Sequence, residues 1–224
     1  MRMACAFALL ALPAAAQYTY YFTDTFPSIN TANWQANGVI SGGSSGLISS
    51  DPSGGSVISK LAVPGGLPAH EVNMKVRLSA PGGTYVQYLR ASADARTGPS
   101  ASGTFYSVEW SNVTFTSNGG CLIQVRINQR VNGVFTTLGS NGVGCIPNAD
   151  NYMIAVITWH GHLLASINGI GVAWLDTGSA ITSGQPGAGL LAAPAGNSIG
   201  TVKLGPPDTT PPAQIDTQSV DASN

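Results

Sequence analysis

Charge is scarce in this chain. Nine Lys and Arg stand against ten Asp and Glu in 224 residues, 8% of the sequence, for a formal net charge of -1. The basic residues are scattered, so no cationic stripe is offered to a nucleic-acid backbone or an anionic membrane. Glutamate is rarer still, with only Glu71 and Glu109. Long apolar runs are missing as well: no segment approaches the roughly 20 residues a membrane helix needs. Good helix formers are few. What the chain has instead is 28 Gly, 14 Pro and 43% hydrophobic residues, which reads as an all-β globular protein.

The first sixteen residues, MRMACAFALLALPAAA, place Arg2 ahead of a short apolar stretch that ends in small residues. This is the pattern of a secretory signal peptide cut before Gln17, and it implies a secreted or cell-surface product. Cys5 leaves with the signal, so the mature chain keeps Cys121 and Cys145. An exported pair is expected to form one disulfide, stabilising the fold by about 3 kcal/mol; two unpaired buried thiols are the alternative.

Short β-rich stretches follow, bounded by Gly, Pro, Asn or Asp: HEVNMKVRLSA, TYVQYLRAS, GTFYSVEWS, CLIQVRINQ, VFTTLGS, YMIAVITWHG, HLLASI, IGVAWLD and TVKLG. Their spacing predicts a sandwich or barrel. Alternation puts Val72, Met74, Val76 and Leu78 on one face and Asn73, Lys75 and Arg77 on the other. In the same way Cys121, Ile123, Val125 and Ile127 oppose Leu122, Gln124, Arg126 and Asn128. MIAVI at 153–157 is apolar on both faces, so a mid-sheet strand covered on both sides is expected. Asn168-Gly169 has the chemistry of a two-residue hairpin turn with positive φ. After Gly205 the tail PPDTTPPAQIDTQSVDASN carries four prolines and three aspartates, an extended linker. The expected plan is therefore a signal at 1–16, one β domain at 17–205 and a linker at 206–224.

FTDTF followed by Trp34, and the run of Tyr152, Val156, Asn168, Gly169, Asp176, Ile181, Ser183, Gly184, Pro186, Gly187 and Gly189, resemble the concanavalin A-like lectin/glucanase superfamily. Within it they are most similar to the laminin-G-like modules of secreted bacterial multidomain proteins. The resemblance implies a two-sheet antiparallel β-sandwich, a jelly roll. DTTPP at 208–212 resembles the linker that precedes a fibronectin type III or Ig-like domain. An activity is not implied, because this fold hosts lectins, glycosidases and spacers.

Asp176 is then read as a turn residue bonding the amides of its own loop. Clustered carboxylates of the kind a calcium loop uses are absent from its neighbourhood in the sequence, so no cofactor is indicated. Glycosidases need two carboxyl groups roughly 5 to 10 Å apart, and the glucanases of this superfamily carry them on one strand. After Glu109 comes WSNVTF, with no second acid. His160 and His162 share a face and His70 is the only other imidazole; the two are read as turn residues rather than metal ligands. No G-x-S-x-G lies between a strand and a helix.

A binding surface remains. If 72–78, 84–91, 104–111 and 121–128 share one sheet, its wet face offers Arg77, Gln87 or Tyr88, Glu109, Gln124 and Arg126, with Tyr85, Tyr106, Trp110 and Trp159 nearby. Aromatic platforms and planar polar groups suit polysaccharide or cell-surface glycan. The competing reading is an ordinary solvated face, with Glu109 paired to Arg126 or Arg77 and the aromatics in the core. The expected function is a non-catalytic glycan-binding or adhesive module; a spacer or protein-contact domain comes second and a divergent glycosidase third.

Overall fold

The computed structural model describes residues 20–62, 71–115, 121–145, 152–159, 163–168, 170–175 and 180–205. The predicted signal and linker, His70, His160, His162 and Asp176 lie outside the described residues. The described residues form fifteen strands: β1 (Phe22–Asp24), β2 (Trp34–Gly38), β3 (Ser41–Gly43), β4 (Gly46–Ile48), β5 (Gly55–Ser59), β6 (Glu71–Arg77), β7 (Thr84–Ala91), β8 (Phe105–Phe115), β9 (Cys121–Val131), β10 (Val134–Cys145), β11 (Tyr152–Trp159), β12 (Leu163–Ile167), β13 (Ile170–Leu175), β14 (Gln185–Leu191) and β15 (Ser198–Gly205). Among the described residues there is no helix.

All pairings are antiparallel and sort into two sheets. One has the order β13-β12-β11-β6-β15-β4-β3, with β1 on β15; the other has the order β10-β9-β8-β7-β14-β5-β2. The sheets stack as a sandwich, as the alternation and the resemblance led us to expect. Val72, Met74 and Val76 of β6 and Ile157 of β11 share one core with Tyr85 and Leu89 of β7, Trp110 of β8 and Ile123, Val125 and Ile127 of β9. Burying such side chains stabilises the fold by roughly 1.5–3 kcal/mol each. Gln124 and Arg126 face out, in agreement with the alternation.

Two expectations are corrected. β6 does not share a sheet with β7, β8 and β9. Gly82 and Gly83, at φ 103° and 83°, turn the chain across from one sheet to the other, a change of direction that alternation does not report. Asn197 locks this crossing: Oδ1 accepts from the N–H groups of Ser79 and Ala80, and Nδ2 donates to the carbonyls of Ala80 and Gly82. The second correction concerns MIAVI. β11 does run mid-sheet between β12 and β6, and Ala155 and Ile157 are buried, but Ile154 is 42% exposed. Only alternate residues reach the core, and no described layer covers the outer face at Ile154.

Hairpin chemistry is as read at Asn168, whose φ is 49°. Asn132-Gly133, at φ 51° and 80°, makes a second turn of this kind between β9 and β10. The aromatic residues of the N-terminal motif also gain a physical role. Asp24 caps the N–H of Phe26 through Oδ1 (2.7 Å) and accepts the Trp34 indole N–H through Oδ2 (2.8 Å). Trp34 packs between Phe22 and Phe26, with ring centroids 5.6 and 5.3 Å away.

Candidate functional site: the outer face of the seven-stranded sheet

The residues singled out in the sequence divide among three places. Arg77 ends β6 and faces outward from the opposite sheet, so it is on the far side of the sandwich from Arg126. Trp159 also lies on that sheet, in β11. Tyr85, Tyr106 and Trp110 are fully buried core residues, which removes them as sugar platforms. Gln87 points inward too. Its Nε2 donates to the carbonyls of Val72 (2.7 Å) and Ala155 (3.0 Å) on the facing sheet, and its Oε1 accepts from Trp110 Nε1 (2.8 Å). This buried amide ties the two sheets together.

Tyr88 is on the outer face but is covered. Residues 92–104, between β7 and β8, fold back over this sheet: the Ala93 carbonyl accepts from Asn37, the Ala95 carbonyl from Ser56, and the Thr97 N–H donates to the Tyr88 hydroxyl (3.1 Å). Ala95 and Thr97 are buried under this arrangement, and Tyr88 stacks edge-on to Phe105 at 5.4 Å. Gly189 of β14 makes room for it, and Gly187 for β5. A Cβ at Gly187 would meet the Val57 carbonyl at 2.6 Å, and one at Gly189 the Gly55 carbonyl at 2.9 Å and the Tyr88 ring at 3.0 Å.

Past the loop Arg126 and Phe135 are exposed and Gln124 and Glu109 half-buried, while Phe105, Ser107 and Asn128 on the same face are fully buried, Asn128 against the expectation of a wet face. Glu109 is the Cα partner of Arg126, whose charge acts on the carboxyl. Arg126 is exposed and donates through Nη2 to Gln124 Oε1 (3.1 Å). Burial pushes the Glu109 carboxyl up from the ordinary carboxylate range; the charge of Arg126 and the side chains of Asn128 and Thr97 act against this without cancelling it. Asn128 Nδ2 makes no hydrogen bond of strict geometry, yet its amide lies near enough to favour the ionised carboxylate. Its Oδ1 accepts from Thr137 Oγ1 (2.9 Å). Beside it, the fully buried Ser107 Oγ has no hydrogen-bond partner.

One aromatic residue on this face escaped the sequence reading. Phe135 is 42% exposed, pairs with Arg130 across the hairpin and meets Phe105 edge-on at 6.3 Å. The signal was available in the sequence: the Asn132-Gly133 turn puts Phe135 at a hairpin tip, where cover is least.

The strip offers planar hydrogen-bonding groups and one exposed ring. Among the described residues its strands contribute one carboxyl group, Glu109. Among the described residues no three His, Cys, Asp or Glu side chains gather as metal ligands. A separate cleft of about 800 Å³ opens at one end of the sandwich, lined by Val39, Ile48, Pro194 and several serines and by no charged or aromatic side chain.

No protein-family model and no curated protein sequence matches the chain. Solved structures do. The metal-free carbohydrate recognition domain of Emp46p superposes with a TM-score of 0.55 at 9% identity, covering 84% of this chain and 97% of that one. A galectin-like protein of unknown function from Bacillus subtilis gives 0.53 at 14%, covering 85% and 96%. A β-glucanase from Bacillus licheniformis gives 0.52 at 16%, covering 85% and 100%. At these identities the likeness establishes the fold: a concanavalin A-like jelly roll, of the kind found in lectin domains and in a glucanase.

Proposed function

We propose that this chain is a non-catalytic module of an exported multidomain protein, of the laminin-G-like kind, and that it binds glycan on the outer face of β8, β9 and β10. The observation that carries the reading is the cluster of Gln124, Arg126 and exposed Phe135 on the outer face of β9 and β10. Amide and guanidinium groups match sugar hydroxyls in pairs, and an exposed ring accepts the apolar face of a pyranose. The carbohydrate-recognition and galectin-like structures sharing the fold support the same reading. In this account residues 1–16 direct export, 206–224 lead to further β domains, and Cys121 and Cys145, Cα partners at the open end of the β9-β10 hairpin, are joined by a disulfide.

A panel of immobilised polysaccharides tests it. Wild-type protein is expected to be retained on at least one member, and Gln124→Ala and Phe135→Ala to be retained at least about tenfold less at unchanged melting temperature. Trp110→Ala is not a suitable variant, because Trp110 is core. Retention on no polysaccharide would sink the proposal. The second reading, a protein-contact domain, is favoured by β10 itself, a sheet-edge strand of twelve residues without a charge or proline.

A further inference from the structure

β9 and β10 have a chemistry that narrows the ligand. Neither strand contains an Asp or Glu; β9 carries Arg126 and Arg130 on the outward face, and β10 is uncharged. The two arginines are four residues apart on one strand, about 13 Å. Among the described residues each guanidinium makes one hydrogen bond, Arg126 to Gln124 and Arg130 to the Gly103 carbonyl, out of five N–H donors. Two carboxyls lie near this face among the described residues: Glu109, half-buried and a strand away, and Asp94 of the covering loop, whose Oδ1 accepts from Ser92 Oγ.

Beyond Ser140 the outward positions of β10 are Gly142 and Gly144, opposite Gln124 and Leu122. A Cβ at either would meet nothing within 4 Å, and neither lies in the left-handed region. Packing and φ account for Gly187 and Gly189 or for Gly82 and Gly83, but not for these two. Glycine inside a strand costs roughly 0.5–1 kcal/mol relative to Ala and is found at bulges, at tight bends and where a ligand or another backbone approaches closely; the register shift of β10 lies between Thr137 and Gly139, away from these two.

We propose that the site takes an acidic polysaccharide lying lengthwise along β9 and β10. Its carboxylate or sulfate groups meet Arg126 and Arg130, and its rings lie over Phe135 at one end and over the bare backbone of Gly142 and Gly144 at the other. Guanidinium suits both kinds of anion because its fork bonds two oxygens at once. A path across the strands is closed: the 92–104 loop covers the sheet beyond Ser107, and Glu109 repels an acid. This inference rests on the glycan reading and adds the ligand's charge and direction.

The experiment measures binding of the secreted protein to polygalacturonate, dextran sulfate and dextran at low and high salt. Binding to one or both acidic polymers, at least about tenfold tighter than to dextran and weakening with salt, is expected. Preference between the two acidic polymers distinguishes carboxylate from sulfate. Arg126→Gln and Arg130→Gln should each weaken binding about tenfold. Glu109→Gln should hold or strengthen it, and Gly142→Val should weaken it without lowering the melting temperature. Arg77→Gln, on the opposite sheet, should change nothing; an equal loss there would reveal unspecific ion exchange and overturn the inference. Dextran bound as tightly, with no salt dependence, or a loss in Glu109→Gln, would overturn the acidic class while leaving the glycan reading in place. Retention of no polysaccharide of any charge would instead end the glycan reading.

Discussion

Burial raises the Glu109 carboxyl, so the folded chain keeps a proton there at pH values where the unfolded chain has lost it. More protons bound in the folded state means that stability falls as pH rises. The contribution of Glu109 is complete below the ordinary carboxyl pKa and is lost between there and its raised value. Glu109→Gln, which cannot ionise, should flatten this part of the profile and melt higher than wild type at neutral pH. Melting temperatures of both proteins from acid to neutral pH check it; a wild type that gains stability through that window relative to Glu109→Gln would show that Arg126 outweighs burial. The same scale shows what the sequence could and could not convey. Glu109 facing a cross-strand arginine was readable, with Arg126 and Arg77 both open as partners; the sheet assignment decides for Arg126. The core position of Trp110 was one of the two readings open in the sequence, whereas Gln87 and Tyr88 were not legible, because β7 reads TYVQYLRA and is buried on both faces. A polar residue on such a strand looks solvent-facing, yet Gln87 serves the core by bonding Trp110 and two carbonyls of the facing sheet.

Among the elements, the β9-β10 hairpin brings together most of what the account depends on. Its register aligns Cys145 with Cys121 and runs back to Val134 opposite Val131, with one shift between Thr137 and Gly139. Directly opposed residues of an antiparallel pair have Cα atoms about 4.5–5.5 Å apart, within the span of a disulfide. Peptide mapping of non-reduced secreted protein should recover Cys121 and Cys145 linked, and Cys121→Ser should lower stability by about 3 kcal/mol. Two free thiols in the native protein would contradict this. Strand identity was legible here from apolar-polar alternation and from turn residues. Sheet membership was not: β6 and β7 are consecutive strands, and the crossing between the sheets is made at Gly82 and Gly83 and anchored by Asn197. β14 was likewise hard to see as a strand, since QPGAGLL owes its glycines to the side chains that lie over it.

At the scale of the whole molecule, two stacked sheets leave two outer faces, two edges and two ends, and the described residues put planar polar groups together with an exposed ring on one of these surfaces. The opposite face carries Arg77, Lys75 and Ile154, and the end cleft carries serines and aliphatic side chains. The fold is shared with carbohydrate recognition domains and with a glucanase, so where a ligand sits says more than that one binds. Titration of isotopically labelled protein with the best-retained polysaccharide, followed by amide chemical shifts, locates it. The account predicts that the perturbed amides cluster in 105–111, 122–130 and 135–144, with 38–50, 71–77 and 193–197 unmoved. Perturbations centred on the end cleft or on β6 and β11, with the β9-β10 hairpin silent, would contradict it.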